Sequence, residues 1–369
     1  MPDKSIIEKY ARLLVNYCLE VKHDDKVYIT ASYLAEPLLR EVVIEVFKAG
    51  GHPVLNIELN LGNATVLNYG DTHQLQWINP TKKIAMESFD CYLNIRASFE
   101  KGDDEKAPLN TEKYQVFQEA QRSMNQLYFE RTGNGSMRRC LCQYPTQAAA
   151  EDAEMTLEEY EKFVFQSCYL YDENPVEKWL EVRATQKAYV ERLNQADKIH
   201  YKGPNIDMTF SVKGRTWINS DGRANMPSGE VFSAPIEDSV NGKAYFSYPT
   251  IYMGKDVEGV SLEVKDGEVI KWSAEKGQDI LDKVFTVPGA RYWGEVAVGT
   301  NYNIQRTSRN ILFDEKIGGS IHMAVGQSYK QCGGLNESTV HWDMITDMKN
   351  GGEIWADGEL IYQNGKFLI

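Results

Sequence analysis

The amino-acid sequence predicts an α/β protein with two domains. Helix and strand patterns alternate along the first half, and short strand patterns dominate the second half. The 369 residues also exceed the size at which a single hydrophobic core usually keeps growing. We therefore expect an N-terminal α/β domain with a largely parallel sheet at residues 1–196. A C-terminal α+β domain rich in β-structure follows at residues 197–369.

The first half alternates amphipathic helices with extended segments. In chain order, the predicted elements are helix 5–22, strand 25–31, helix 35–51, strands 52–59 and 89–97, and helices 156–168 and 175–195. Pro37 suits the first turn of its helix, and Gly50 or Gly51 suits the end. Thr156 and Glu159 fit a capping box. Helices between consecutive strands favour parallel pairing, with the helices covering the sheet.

The second half reads mainly as β-structure. Short alternating segments cover residues 206–212, 259–264, 268–273, 295–299, 320–326 and 339–345. Near the end of the chain, Asp357-Gly358 and Asn364-Gly365 are dipeptides typical of tight hairpin turns.

Charge and composition argue against several classes of partner. The formal net charge is −13 and the basic residues are scattered, so most of the surface would repel a polyphosphate backbone, and we expect no nucleic-acid partner. No stretch approaches 18 apolar residues and the start lacks a signal-peptide pattern, so we expect a cytoplasmic protein with no membrane partner. The six cysteines lack disulfide-framework spacing, and Cys140 and Cys142 fit alternating strand positions better than a metal site.

His341 and Asp343 stand two residues apart in a segment that reads as a strand, "STVHWDMI". Alternate strand residues share a face, so both side chains can reach one point while Val340, Trp342 and Met344 cover the other face. A carboxylate and an imidazole on one face suit two ligands of a single ion. The same pattern also fits a histidine that is simply oriented by an aspartate.

Two further segments repeat this arrangement. In "GEVAVG" and "IHMAVG", Glu295 and His322 are each followed on the same face by an alanine and a glycine, while the opposite face is apolar. A face built only for packing would fill those positions with volume, because interiors are close-packed. We therefore expect ions, water or substrate on this face. The alternative is a pair of separately hydrogen-bonded core residues.

Glu230 lies in "MPSGEVFSAP", where Gly229 permits a close approach and Pro235 stops regular strand pairing. The spacing alone is typical of an ordinary loop or edge glutamate. Three other carboxylates are close enough in sequence to be rival ligands, although solvated surface charge explains each of them: Asp347, Glu237 and Asp238. The four remaining histidines read as surface or packed imidazoles: His23, His52, His73 and His200.

The motifs "MPSGEVFSAP", "YWGEVAVG", "IHMAVGQSY" and "STVHWDMI", in this order, resemble the M29 family of metal-dependent aminopeptidases, the aminopeptidase T and aminopeptidase S group. The segments "YARLLVNYCLEVKHDDKVYI" and "AEPLLREVVIEVFKAGGHPVL" are similar too, so the resemblance covers nearly the whole chain. It implies two divalent ions, which could be zinc, cobalt or manganese. The positions that match the family's metal ligands are Glu230, Glu295, His322, His341 and Asp343. Tyr329 matches a tyrosine beside the metals.

The resemblance implies a homodimeric aminopeptidase that removes N-terminal residues from short peptides by means of a two-metal activated water. Glu295 would be a ligand or the general base, and Tyr329 would donate a hydrogen bond to the oxyanion. Two alternatives stay open: a binuclear hydrolase of another small amide or ester, and a non-catalytic, metal-stabilised binding protein. Nucleophile and nucleotide motifs such as G-x-S-x-G, the Walker loop and G-x-G-x-x-G after a strand are absent from the sequence.

Overall fold

The computed structural model describes residues 3–60, 63–100, 110–252 and 254–369. The α-helices are α1 Lys4–Arg12, α2 Glu36–Lys48, α3 Asn63–Tyr69, α4 Thr72–Leu75, α5 Pro80–Ser88, α6 Thr111–Gly133, α7 Gln147–Asp152, α8 Leu157–Ser167, α9 Pro175–Leu193, α10 Gln278–Val284 and α11 Ile311–Asp314. Within these described ranges, no helix is both long enough and apolar enough to cross a membrane.

The strands, numbered along the chain, are β1 Lys26–Ser32, β2 His52–Glu58, β3 Cys91–Arg96, β4 Arg138–Gln143, β5 Lys198–Gly203, β6 Ile206–Ser211, β7 Ile218–Ser220, β8 Asn225–Met226, β9 Glu230–Ser233, β10 Asn241–Phe246, β11 Thr250–Tyr252, β12 Lys255–Val257, β13 Val260–Lys265, β14 Glu268–Ser273, β15 Trp293–Gly299, β16 Ser320–Gly326, β17 His341–Asp347, β18 Glu353–Ala356, β19 Glu359–Gln363 and β20 Lys366–Phe367. The fold is therefore a mixed α/β fold with a strand-rich second half, as predicted.

The chain divides into two compact units. The first comprises Met1–Val176 and Gly222–Met226, and the second comprises Glu177–Asp221 and Pro227–Ile369. Nearly all of α9 belongs to the second unit, because Tyr189 stacks on Phe367 with ring centroids 3.9 Å apart. The sequence-predicted boundary at residue 196 lies just beyond this helix.

The first unit is built on a parallel five-stranded sheet with the order β2-β1-β3-β4-β8. One face of this sheet is apolar and buried, with Val27 and Ile29 on β1 and Leu93 on β3. Cys140 and Cys142 lie on the same face of β4 as free, buried thiols, which confirms that they are alternating strand residues. The prediction of a largely parallel sheet is confirmed.

Local sequence signals explain several helix boundaries in the first unit. The predicted capping box is present, with Thr156 and Glu159 bonding reciprocally at the start of α8. The first helix differs from the prediction, because α1 continues as a π-helical segment at Leu13–Cys18 and ends there instead of reaching residue 22. The backbone of Glu20 has a positive φ of 47°, which is incompatible with a right-handed helix.

Besides the two-stranded antiparallel sheet β11-β12, the described part of the second unit contains two larger antiparallel sheets with a shared core. Their orders are β14-β13-β10-β6-β5-β18-β19-β20 and β17-β16-β15-β9-β7. Apolar side chains of both sheets meet in this core, for example Tyr201 and Met208 from the larger sheet with Val296 and Met323 from the smaller one. The two predicted hairpin turns are confirmed, since Asp357-Gly358 and Asn364-Gly365 all have positive φ.

Candidate metal centre

Four adjacent strands of the smaller sheet carry the predicted ligands. They lie in the order β17-β16-β15-β9, so segments distant in sequence become neighbours. The core side of these strands is occupied by apolar residues, including Val296, Ile321 and Trp342. Because side chains alternate along a strand, this fixes the opposite face for Glu295, His322 and the other polar residues.

Small residues stand directly opposite the polar ones across this sheet. The paired positions are Glu230 with Gly299, His322 with Ala297, Asp343 and Glu295 with Ala324, and His341 with Gly326. A small cross-strand neighbour leaves each polar side chain free to lean across the sheet, because opposed Cβ atoms are only about 4.5–5.5 Å apart.

The prediction that the small residues leave room for a ligand is wrong for two of them. A Cβ at Gly299 would overlap the carbonyl oxygen of Ile317, and one at Gly326 would overlap that of Val340. These glycines are explained by close backbone packing. The prediction for Gly229 is confirmed, since its φ is +111° and a Cβ there would lie 2.7 Å from Cβ of Asn301.

The five predicted ligands converge on one another. Nε2 of His322 lies 3.3 Å from Oε2 of Glu230 and 3.3 Å from Oε1 of Glu295. Nε2 of His341 lies 3.4 Å from Oε2 of Glu295 and 3.5 Å from Oδ1 of Asp343. Each of the groups Glu230-Glu295-His322 and Glu295-His341-Asp343 offers ligand atoms within 4.8 Å of one another. Glu295 belongs to both groups.

Burial makes this cluster costly unless a cation neutralises it. Glu230, Glu295 and Asp343 are each less than a tenth exposed, and His322 is 0% exposed. Oε2 of Glu230 and Oδ1 of Asp343 are buried without a hydrogen-bond donor among the described residues. Desolvated carboxylates carry a large penalty unless they are paired or coordinate a metal. The donor set therefore fits a divalent ion that accepts oxygen and nitrogen ligands.

The imidazoles respond to this negative field. Burial opposes protonation of His322, but the hydrogen bond to Glu295 and the surrounding carboxylates raise its pKa to about 9. Burial likewise opposes ionisation of Asp343, but His341 lowers its pKa to about 2. A cluster that draws protons onto its imidazoles is one in which a metal ion would displace those protons on binding. Nδ1 of His341 contacts the Gln327 carbonyl oxygen at 2.8 Å, which orients Nε2 toward the carboxylates.

Two residues of the cluster were not predicted from the sequence. Glu315 forms a third group with His322 and Asp343, and Lys316 is completely buried with Nζ 3.8 Å from Oε1 of Glu230. Lys316 also forms an ion pair with Glu315. Both residues lie in the turn between α11 and β16, where no strand periodicity singles them out. The sequence signal is a run of three charged residues, Asp314, Glu315 and Lys316, that begins at the last residue of α11.

Lys316 balances charge inside this cluster, so we expect Lys316→Met to destabilise the metal-free protein. Removing one partner of a buried ion pair costs about 3–5 kcal/mol, because the remaining charge stays buried and uncompensated. Urea unfolding of chelator-treated protein measures this loss. The double variant Glu315→Gln/Lys316→Met should recover part of it, and the surface variant Lys349→Met should lose little. Equal stability of wild type and Lys316→Met would contradict the charge-balancing role.

Tyr329 lies at the edge of the cluster. Tyr329 is 41% exposed. The centroid of its ring lies 5.1 Å from that of the His341 ring and 5.5 Å from that of the Phe232 ring. Desolvation and the nearby carboxylates, Glu295 first among them, raise the pKa of the Tyr329 phenol. The phenol therefore keeps its proton at neutral pH and remains a hydrogen-bond donor.

A buried glutamine of α9 anchors the strands beneath the cluster. The amide nitrogen of Gln186 donates to the carbonyl oxygens of Ser220 and Glu230, at 3.0 and 3.2 Å. Its amide oxygen accepts a 2.7 Å hydrogen bond from Thr300. Gln186 thus ties β7, β9 and the end of β15 together, a positioning role that the sequence pattern did not indicate.

The rival carboxylates lie outside the cluster. Glu237 pairs with Arg215 at 2.6 Å, Asp347 accepts from the Tyr248 hydroxyl at 3.2 Å, and Asp238 is exposed. The remaining histidines agree with the surface interpretation: His23, His52 and His73 are exposed, and His200 is half-buried beside Asp207.

The carboxylates and imidazoles that these strands bring together around Glu295 form a candidate metal-binding site. The chain belongs to the M29 family of thermophilic metalloproteases, whose sequence model matches residues 3–367. The resemblance predicted from the four motifs is thereby confirmed.

Individual relatives in this family carry aminopeptidase names. The chain is 32% identical over 240 residues to aminopeptidase PepS of Streptococcus thermophilus, covering 56% of this chain and 58% of that protein. It is 32% identical over 226 residues to aminopeptidase T of Thermus aquaticus, covering 53% and 54%. The chain thus spans little more than half the length of these two relatives. Aminopeptidase 2 of Geobacillus stearothermophilus is 25% identical over 98% of this chain and 97% of its own.

Solved structures show the same fold. AmpT from Thermus thermophilus superposes with a TM-score of 0.82 at 21% identity, covering 99% of this chain and 100% of that one. A 2,5-dihydroxypyridine dioxygenase from Pseudomonas putida KT2440 gives a TM-score of 0.60 at 15% identity, covering 100% and 98%. At these identities the likeness concerns the fold alone.

Proposed function

We propose that the protein is a metal-dependent aminopeptidase that removes N-terminal residues from short peptides. The observation that carries this proposal is the convergence of two carboxylate-imidazole groups on Glu295 in a chain of the M29 metalloprotease family. The names of the relatives PepS and aminopeptidase T support the peptide substrate.

The cluster has enough donors for two divalent ions. Glu230, Glu295 and His322 would hold one ion, and Glu295, His341 and Asp343 would hold the other. When bound, the ions would lower the pKa of a water and polarise the scissile carbonyl group. Glu295 turns one oxygen toward each imidazole, which supports a ligand role shared by both groups. Zinc, cobalt and manganese all accept this mixture of oxygen and nitrogen donors.

The protein's own groups supply charge and orientation around the reacting bond. When bound, an ion would also accept the free amino group of a peptide. Tyr329 donates its phenol proton in a hydrogen bond to the oxyanion that forms at the scissile carbon. Because the substrate must present a free amino group, the proposed enzyme is an exopeptidase.

Dialysis against a chelator, followed by addition of single divalent ions, tests the proposed function. We expect release of amino acids from unblocked peptides to disappear and then return with at least one of Zn²⁺, Co²⁺ and Mn²⁺. N-acetylated versions of the same peptides are the matched control, and we expect no turnover of them. Hydrolysis of blocked peptides would instead indicate a hydrolase of other amides. Bound metal without any turnover would indicate a non-catalytic metal protein.

Replacing Tyr329 by phenylalanine tests the oxyanion role. Loss of one oxyanion donor costs about 10² or more in rate, so kcat of Tyr329→Phe should fall by about that factor while metal content is unchanged. Tyr245→Phe is the control, because that hydroxyl donates to a surface carboxylate, Glu275, at 3.0 Å. A kcat of Tyr329→Phe equal to that of the control would remove Tyr329 from the mechanism.

Two further properties are proposed: a homodimer, which the family resemblance implies, and a cytoplasmic location, which the sequence composition predicts. Light scattering on the purified protein measures the first, and the expected mass is twice that of one chain. Fractionation of the source cells measures the second.

A further inference from the structure

One face of the parallel sheet in the first unit carries a row of polar residues where an ordinary buried sheet is apolar. Thr30 on β1 pairs in register with Asn56 on β2 and with Asn94 on β3, so the three side chains form one row. Parallel sheets covered by helices normally read as nearly continuous apolar runs. The opposite face, with Ile29 and Leu93, obeys that rule. The polar row therefore calls for an explanation other than packing.

A cavity of about 390 Å³ lies over this polar row, between the sheet and helices α5 and α6. This volume is within the range of small-molecule sites. Tyr92 and Tyr128 line it, with ring centroids 5.9 Å apart at 90°, together with the thioethers of Met86 and Met124. The cavity thus combines flat aromatic and flexible apolar surfaces with the polar row.

Two cations at this cavity lack a carboxylate partner among the described residues. Among the described residues, Nζ of Lys82 donates one hydrogen bond, to the amide oxygen of Gln121 at 3.4 Å, and the guanidinium of Arg139 lies 6.0 Å from the ring centroid of Tyr128. The neighbouring Lys83, by contrast, pairs with Glu87 at 3.8 Å. The cavity lining contains three cations, Lys82, Arg96 and Arg139, against one carboxylate, Glu58, so its net charge is positive and favours an anionic occupant.

The amides of the polar row are also available. Within the described part of the chain, the side chains of Asn56 and Asn94 have no hydrogen-bond partner, whereas Thr30 and Tyr92 bond each other at 3.1 Å. Each side-chain amide offers two N–H donors and one carbonyl oxygen acceptor. Half-buried polar groups without protein partners are ready to bind a polar ligand or water.

The sheet topology places this cavity where ligands bind in related architectures. In the strand order β2-β1-β3-β4, the chain adds β2 on one side of β1 and β3 on the other side. The point between β1 and β3 is therefore a topological switch point, and such points form a crevice at the carboxyl ends of parallel strands. Glu58 and Arg96, the last residues of β2 and β3, both line the cavity. The cavity therefore reaches the carboxyl edge of the sheet.

We propose that this cavity is a binding site for a small organic anion, with a carboxylate or phosphate group held by Lys82 and Arg139. The amides of Asn56 and Asn94 bind its polar atoms, and its flat or apolar body lies against Tyr128. This site belongs to the first unit and is independent of the proposed metal centre and its activity.

Isothermal titration calorimetry of the full chain tests the proposal with three probes. N-acetylphenylalanine supplies a carboxylate, adenosine monophosphate supplies a phosphate, and N-acetylphenylalaninamide is the neutral control. We expect at least one anionic probe to bind and the neutral amide to bind at least about tenfold more weakly. The anionic probe that binds identifies the preferred charged group.

Variants locate the binding. Lys82→Gln and Arg139→Gln should each raise the Kd of the probe that binds by about tenfold or more. Lys83→Gln, on the same helix as Lys82, should leave this Kd unchanged. Because Lys82 is partly exposed on α5, we expect Lys82→Gln to fold. This variant alone tests the proposal if Arg139→Gln does not fold. Lack of binding by both anions up to about 10 mM, or equal Kd values for wild type and Lys82→Gln, would overturn the proposal.

Discussion

Glu295→Gln should lower kcat for unblocked peptides by about 10² to 10⁴, the usual contribution of a catalytic acid-base group. Both oxygens of this carboxylate face imidazoles, His322 at 3.3 Å and His341 at 3.4 Å. An amide of the same shape keeps the packing but supplies one neutral oxygen and a nitrogen donor in place of two charged acceptors. The variant should therefore fold normally and lose turnover.

The metal content of Glu295→Gln separates the two roles of this residue. A ligand shared by both groups predicts that bound metal is lost together with kcat, whereas a general base predicts that metal is retained. Glu263→Gln is the matched control, because Glu263 lies on β13 of the same unit in a surface ion pair with Lys271 at 3.0 Å. Near-native kcat in Glu295→Gln would contradict both roles.

Asp343→Asn should lose the affinity for metal. Its carboxylate is buried, and Oδ1 has no hydrogen-bond donor among the described residues. Changes in residues that merely orient a ligand already weaken metal binding by about 10- to 100-fold, so loss of a charged ligand should cost at least as much. Equilibrium dialysis with Zn²⁺, Co²⁺ or Mn²⁺ measures the change.

Asp347→Asn provides the control for this prediction. Asp347 lies on the same strand and the same face as Asp343, but its carboxylate accepts from Tyr248 and lies near Lys349. Its replacement should leave metal affinity unchanged. Equal affinities for Asp343→Asn and wild type would remove Asp343 from the ligand set.

The faces of the strands could be predicted from the sequence because alternation is a local property. The patterns around Glu295, His322 and His341 place polar groups on one side and Val296 or Trp342 on the other, as the structure shows. The order of strands β17-β16-β15-β9 depends on long-range pairing, which no local pattern encodes. The convergence of the five side chains was therefore predicted through the family resemblance.

Residues in turns escaped the sequence analysis for the same reason. Glu315 and Lys316 lie between α11 and β16, so neither a period of two nor a helical period marks them. Their importance is visible only from burial and from the distance of Lys316 to Glu230. Gln186, which anchors β7 and β9 from α9, likewise resembled an ordinary polar residue of an amphipathic helix.

Anomalous diffraction from crystals grown with Mn²⁺ or Zn²⁺ tests the metal centre most directly. We predict two anomalous peaks, one among Glu230, Glu295 and His322 and the other among Glu295, His341 and Asp343. Crystals of catalytically active protein with no anomalous density among these side chains, or with ions bound only elsewhere, would contradict the account.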